Sequence, residues 1–259
     1  MMIKNSYFVK NFNLLKKNLD NIFLIFIFDV WFLAVLLGTS KLAEFLGPRL
    51  FSQPLESYSI SPLLIFGIIY FIILTIIYSF FKYIVLHHIN RIFWHTDLNF
   101  KRFGSFLLMN LVILISYLII YFALNGIFLI NVKSQFTPIM LLLIIIPFVF
   151  FSYAFLNISH SLFLNFPDNK SILKKAVLMT LTKVRSYSGI YLWSAIILAV
   201  YFILFYSISF LIVNNPDLSL QSYQIYQNAS KVITAIALYL LVFFNRSYFY
   251  LITKERQKF

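Results

Sequence analysis

Residues 63–86 read LLIFGIIYFIILTIIYSFFKYIVL, a run of 24 residues in which Lys82 is the single charged side chain. A helix of about 20 apolar residues crosses the hydrocarbon core of a bilayer, so this run predicts a membrane-spanning helix. Five further runs have the same character, and none alternates as the strands of an outer-membrane barrel do. The predicted spans lie near residues 22–40, 63–86, 106–130, 139–163, 190–213 and 232–252. The sequence therefore predicts an all-α, polytopic six-helix transmembrane bundle, with residues 1–259 as one integral membrane domain.

The composition agrees with a lipid environment. Hydrophobic residues make up 61% of the chain and charged residues 11%, and the mean hydropathy is +0.88. Soluble domains are about 45–50% apolar and about 25% charged. These values exclude a soluble enzyme and a disordered chain. The absence of cysteine excludes disulfides, thiolate nucleophiles and Cys-ligated metal sites.

The chain is strongly basic, with a formal net charge of +13. In a soluble protein this surplus would suggest nucleic acid. Here the basic residues lie between apolar runs, so we expect anionic lipid headgroups as partners and no nucleic acid. An A+T-rich codon usage would also produce a surplus of Lys, but it does not explain where the charges lie.

The basic residues are distributed unevenly between the two sides of the predicted bundle. Seventeen of the 21 Lys and Arg residues fall on the side of the two termini. The other side has Lys41, Arg49, Lys133 and Lys231. By the positive-inside rule, the sequence predicts a multi-pass protein of the cell membrane with both termini in the cytoplasm.

Two basic stretches are amphipathic. Phe8, Phe12, Leu15 and Leu19 follow helical spacing, which predicts a helix lying along the inner headgroups. Residues 171–185 are a second such segment. They form either a separate interfacial helix or an extension of the fifth span.

A threefold pattern suggests three parallel two-helix repeats. Each unit would contain a basic segment, an outward span and a returning span. The returning spans carry the doublets Phe80-Phe81, Phe150-Phe151 and Phe243-Phe244. Phenylalanine is so frequent in this chain that chance is an equally open explanation of the doublets.

Residues 167–198 read PDNKSILKKAVLMTLTKVRSYSGIYLWSAIIL. This stretch resembles the cytoplasmic linker and fifth span of several six-helix prokaryotic membrane families. One of these is the membrane domain associated with glycerophosphodiester phosphodiesterases. The shared pattern is a polar turn, a Lys-bearing amphipathic segment and a long span, over about a fifth of the chain. The resemblance implies a six-helix bundle and no particular reaction.

The predicted spans contain three intramembrane charge candidates. Asp29 lies near the middle of the first span, and Lys82 and Arg246 lie at comparable depth in the second and sixth spans. A carboxylate inside a membrane is a functional-site hypothesis by default. An oppositely charged partner is the simplest way to keep it ionised. The alternative is a protonated carboxyl group that is hydrogen-bonded to Tyr or Asn. We expect Arg246 to pair with Asp29 in preference to Lys82, because a guanidinium can hold a carboxylate through two hydrogen bonds.

Other candidate binding residues lie at the predicted membrane surface. The basic residues expected to contact lipid headgroups are Lys16, Lys17, Lys101, Arg102, Lys174, Lys175, Lys183 and Arg185. The histidines lack the spacing of a zinc hydrolase. No metal site and no cofactor is therefore predicted. The weak candidates for metal ligands are His88 and His95. Asp97 would complete a site with them only if the chain turns.

Two functions follow from these features. The first is a non-catalytic scaffold or accessory subunit of a membrane assembly, with a membrane-protein partner. The alternative is a small transporter, channel or translocation component that uses Asp29 in a polar path. Such a path could be lined by Asn110, Ser116, Asn125, Ser194, Ser207 and Ser209. No enzymatic motif is present in the sequence, and catalytic residues are not assigned.

Overall fold

The fold is an all-α bundle with six helices long and apolar enough to cross a membrane. The computed structural model describes residues 7–50, 60–95, 99–131, 137–214 and 219–256. The long helices are α2 (Leu19–Leu50), α3 (Ile60–Trp94), α4 (Phe103–Asn131), α5 (Thr137–Phe163), α7 (Val184–Val213) and α8 (Leu220–Arg256). The short helices are α1 (Tyr7–Lys16) and α6 (Asn169–Thr182), and a 3₁₀ turn covers Phe100–Arg102. No strand occurs in the described ranges.

A short element precedes each pair of long helices along the chain. Helix α1 precedes α2 and α3, the 3₁₀ turn precedes α4 and α5, and α6 precedes α7 and α8. This order parallels the predicted threefold pattern, and an internal repeat stays a prediction.

Helices α2, α3 and α8 extend well beyond the apolar runs that predict them, whereas α4 and α5 nearly coincide with theirs. Helix α8 has 37 residues, which corresponds to about 55 Å at 1.5 Å per residue. The hydrocarbon core of a bilayer is about 30 Å thick. A helix of this length exceeds what the hydrocarbon requires, and residues 41–50, which follow the first predicted span, continue α2. Helix α5 continues through Pro147.

The core lies at one end of the bundle, which we call the packed base. It consists of the buried residues between Thr75 and Phe93 of α3, Phe106 and Ile113 of α4, Ala154 and Phe163 of α5, and Phe243 and Thr253 of α8. Large side chains such as Tyr83, Phe106 and Phe249 are fully buried there. Toward the other end of the bundle, the described side chains of these helices are half-buried or exposed. We call these parts the far halves.

The two short helices close the packed base. Helix α1 is fixed to α8 by Asn11, whose Nδ2 donates to the Phe244 carbonyl (3.2 Å) and to Ser247 Oγ (2.9 Å). Leu15 is buried beside it, whereas Phe12 is 56% exposed. Helix α1 therefore packs against the bundle through Asn11 and Leu15, and its placement along the inner headgroups stays a prediction.

Helix α6 is a separate amphipathic helix, which decides between the two alternatives for residues 171–185. The Asp168 carboxylate caps its start by accepting from the backbone N–H groups of Lys170 and Ser171. Its end is held by the Tyr187 hydroxyl, which donates to the Thr180 carbonyl. Ile172 and Ala176 are buried against the bundle, so apolar burial holds this helix against the packed base.

Candidate functional site

The centre of the candidate site is an ion pair between α2 and α8. Arg246 Nη1 lies 3.0 Å from Asp29 Oδ2 and 3.4 Å from Oδ1. The two side chains are 9% and 15% exposed. The structure thus brings together the carboxylate and the guanidinium that the sequence pairs. One guanidinium nitrogen spans both carboxylate oxygens, so the contact is not the two-nitrogen fork that Arg often forms.

Tyr239 is a third member of the site that the sequence analysis missed. Its hydroxyl donates to Asp29 Oδ2 over 3.0 Å. Tyr239 and Arg246 are seven residues apart on α8, which places them on the same face two turns apart. This spacing is the sequence signal that could have identified Tyr239. With two donors on it, Asp29 is well satisfied although it lies inside a membrane-spanning helix.

Lys82 lies in the same site but does not pair with the carboxylate. It lines a cavity of about 200 Å³ together with Asp29, Tyr78, Tyr239 and Arg246. Within the part of the chain that the structure describes, Lys82 makes no ion pair and no side-chain hydrogen bond. The hydroxyl of Tyr78 is buried and has no hydrogen-bond partner there either. The cavity is therefore lined by two cations, one carboxylate and an unsatisfied hydroxyl.

A second polar group of side chains links α3, α4 and α5. Asn110 Nδ2 donates to Ser79 Oγ (3.1 Å), so Asn110 Oδ1 is left to accept from His160 Nε2 (2.8 Å). This assignment places the His160 proton on Nε2. The Nδ1 atom of His160 is buried without a described partner. The sequence suggests Asn110 as a path-lining residue. Its contact with His160 could not be predicted, because it depends on the register between two helices.

The other candidates for a polar path do not converge. Ser116, Asn125 and Ser207 each donate to the backbone carbonyl four residues earlier in their own helix. Ser194 donates to Asn245 Oδ1 (2.9 Å), which joins α7 to α8. Ser209 shares a hydrogen bond with the Tyr226 hydroxyl. These polar groups are used to satisfy single helices or to connect pairs of helices.

The weak metal candidates lie apart from the charged site. His88 Nδ1 is 3.3 Å from Asn21 Oδ1, and the His88 ring stacks on Phe28. His95 follows the end of α3 with a φ of 56°. Among the described side chains, no group of three His, Asp or Glu could hold a metal ion. Asp97 lies outside the described residues.

The lipid-headgroup candidates are exposed, with one exception. Exposed side chains are found at Lys16, Lys17, Lys101, Lys174, Lys175, Lys183 and Arg185. The Lys175 ammonium lies 3.6 Å from the centre of the Phe166 ring. Arg102 is half-buried, and its Nη2 donates to the carbonyls of Phe163 (2.9 Å) and Phe166. Arg102 therefore holds the end of α5, where helix carbonyls have no partner within the helix.

Comparison of the chain with protein-family models, with curated proteins and with solved structures finds no match in any of the three. The resemblance of residues 167–198 to six-helix prokaryotic membrane families therefore stays a prediction. Six helices apolar enough to cross a membrane make the chain a multi-pass membrane protein.

Proposed function

We propose that this protein is a non-catalytic scaffold or accessory subunit of a membrane assembly. The observation that carries the proposal is the far half of α7. Beyond Ser194 no described residue of α7 is buried. Large apolar side chains there are exposed, including Phe202 at 57% and Tyr206 at 71%.

The far half of α7 is attached to the rest of the molecule through α8. Tyr201 and Thr234 share a hydrogen bond of 2.6 Å, and the rings of Phe205 and Tyr226 stack. One side of α7 is used in this way, and its other sides are open. A partner helix that packs on the open sides would gain close side-chain contacts that lipid tails make less well.

The polar residues of the bundle also favour a scaffold. Ser194 and Asn245, and Asn110 and Ser79, connect neighbouring helices. Such hydrogen bonds hold helices together in a membrane. A transport path would need polar groups that face a common opening, so the arrangement favours a structural role.

The test uses the cysteine-free background of the chain. Phe202→Cys or Tyr206→Cys would carry a photo-activated cross-linker in native membranes. We expect each variant to cross-link to one and the same membrane protein. The matched control is Ile119→Cys on α4, which is 64% exposed and is expected to yield lipid adducts. Lipid adducts alone at both α7 positions would refute the scaffold proposal.

The alternative function, a small transporter or channel, is favoured by one specific observation. The cavity of about 200 Å³ beside Asp29 is lined by charged side chains from three helices. Solute flux through the purified protein in vesicles, lost in Asp29→Asn, would support this alternative. The scaffold proposal predicts no such flux.

We further propose that both termini face the cytoplasm of the cell. The exposed Lys residues of α6 lie at the packed base. The ends of α1 and α8 lie on the same side, where Lys10 and Glu255 form an ion pair of 3.1 Å. This concentration of positive charge supports the orientation. We expect a reporter fused after Lys258 to stay inside the cell, and a reporter fused after Asp217 to be exported. Export of the C-terminal reporter would reverse the topology.

Anionic lipids are the partners that we propose for the base of the bundle. Helix α6 carries Lys174 and Lys175 on its exposed side. Leu173 and Val177 of the same helix line an apolar groove of about 730 Å³ between α4, α5 and α6. An acyl chain in this groove would bring its headgroup close to the lysines.

Neutralising Lys174, Lys175, Lys183 and Arg185 together is expected to weaken the retention of anionic lipid. Each basic residue near an anionic surface contributes about 1 kcal/mol. Native mass spectrometry at increasing salt would measure the lipid that stays bound. Lys41→Gln, at an exposed position paired with Glu44, is the control. Equal retention by the quadruple variant and the unmodified protein would contradict the prediction.

A further inference from the structure

We propose that the cavity between α2, α3 and α8 is a binding site for a small monovalent anion, with chloride as the simplest example. The cavity has a volume of about 200 Å³. Nothing in this proposal depends on the scaffold role, because an anion would complete the site in a scaffold and in a transporter alike.

The charged side chains on the cavity wall do not balance. Arg246 and Lys82 contribute two positive charges to the cavity wall, and Asp29 contributes one negative charge. Both oxygens of Asp29 already accept hydrogen bonds from Arg246. When Lys82 is protonated, one positive charge is therefore left without a described counter-ion. An isolated charge inside a membrane is costly, and a bound monovalent anion would neutralise this surplus.

Lys82 and Tyr78 carry hydrogen-bond donors that are unused within the described residues. The Lys82 ammonium carries three N–H groups, and within the described residues it donates none of them to an acceptor of the protein. The Tyr78 hydroxyl is buried and unpartnered, and it lines the same cavity. Leaving a buried donor without an acceptor is unfavourable. An anion between Lys82 and Tyr78 would accept hydrogen bonds from both.

The size of the cavity and its largely apolar walls suit a small anion. Phe32, Leu33 and Phe81 complete the lining, so the donors lie in apolar surroundings where their interaction with an anion is strong. The volume accommodates a halide with accompanying water. It is too small for a phospholipid headgroup together with its acyl chains, which separates this site from the lipid-binding surface of α6.

The test measures thermal stability in detergent while chloride replaces gluconate at constant ionic strength. Gluconate, a bulky and weakly coordinating organic anion, serves as the comparison anion. We expect the melting temperature of the unmodified protein to rise with chloride and to saturate, since a ligand that binds the folded state stabilises it. The three tryptophans provide the fluorescence signal.

Two variants and one control make the test specific. Lys82→Met should abolish the response to chloride and should leave the melting temperature in gluconate unchanged or higher, because it removes an uncompensated charge. Tyr78→Phe should weaken chloride binding on the order of tenfold, because it removes one hydrogen bond to a charged group. Lys41→Met, outside the cavity, should respond as the unmodified protein does.

A second measurement does not depend on unfolding. The ³⁵Cl resonance should broaden in the presence of the unmodified protein and narrow in the presence of Lys82→Met. An unmodified protein that shows neither chloride-dependent stability nor line broadening would overturn the proposal. A chloride response that survives in Lys82→Met would also overturn it.

Discussion

Asp29→Asn and Arg246→Gln are each expected to lower the free energy of unfolding by about 3–5 kcal/mol, the cost of breaking a buried ion pair. The double variant should lose clearly less than the sum, because removing both partners leaves no uncompensated member of the pair. Reversible unfolding in mixed micelles would measure the four states of this cycle. The exposed pair of Lys41 and Glu44 (78% and 66%) provides the control, for which Lys41→Gln should cause no measurable loss.

The two single variants are expected to differ in severity because of Lys82. Loss of the Asp29 charge leaves Arg246 and Lys82 on the wall of one cavity with no carboxylate between them. Loss of the Arg246 charge leaves Asp29 with Lys82 as a remaining cation. Asp29→Asn should therefore be more destabilising than Arg246→Gln, and adding Lys82→Met should restore part of the loss. Strictly additive effects across the cycle would show that the pair contributes no coupling.

Arg102→Gln is expected to destabilise the protein by about 2–3 kcal/mol. Hydrogen bonds to a charged donor are stronger than neutral ones, and Arg102 provides them to the carbonyls of Phe163 and Phe166 at the end of α5. Its guanidinium also lies 4.3 Å from the centre of the Phe163 ring. Helix α6 begins six residues after Phe163, so loosening this end should also loosen α6.

The matched control for Arg102 is its neighbour. Lys101 is exposed and has the same formal charge, so Lys101→Gln should leave the melting temperature in detergent unchanged. Arg102→Lys should recover part of the stability, because an ammonium keeps the charge but not the planar fork. Equal effects of the two Gln variants would mean that Arg102 acts through net charge and not through the end of α5.

The spans and the charged pair were accessible from the sequence for the same physical reason. In lipid, a long continuous apolar run satisfies its backbone hydrogen-bonding groups by forming a helix. An acid such as Asp29 within that helix then requires a partner at its own depth. Arg246 met that requirement, and the structure places the two in contact. Depth along a helix follows from counting residues, which is why this part of the site could be predicted.

The remainder of the site depends on how each helix is rotated about its axis relative to its neighbours. This rotation cannot be predicted from a single sequence by counting residues. Tyr239 bonds to Asp29 because α8 turns one face toward α2. Asn110 meets His160 because α4 and α5 pack in one particular register. Arg102 was predicted as a lipid ligand from its position at the membrane surface, yet its closest acceptors belong to the protein. Local charge patterns identify candidate residues, and only the packing of helices decides what each one binds.

The concentration of buried residues at the packed base has a consequence for how the molecule responds to its bilayer. The buried residues nearest the far end of each long helix are Ile25, Thr75, Ile113, Ala154, Ser194 and Phe243. Apart from the contacts of Asp29 with Tyr239 and of Tyr153 with the Val242 carbonyl, the hydrogen bonds between helices within the described far halves join members of one pair, as Ser40 with Tyr70, Tyr117 with the Ser152 carbonyl and Tyr201 with Thr234 do. A mismatch between the bilayer and the apolar length of the helices is relieved by tilt. Here each pair can tilt separately, so a thicker or thinner membrane would reshape the far halves and leave the Asp29–Arg246 pair undisturbed.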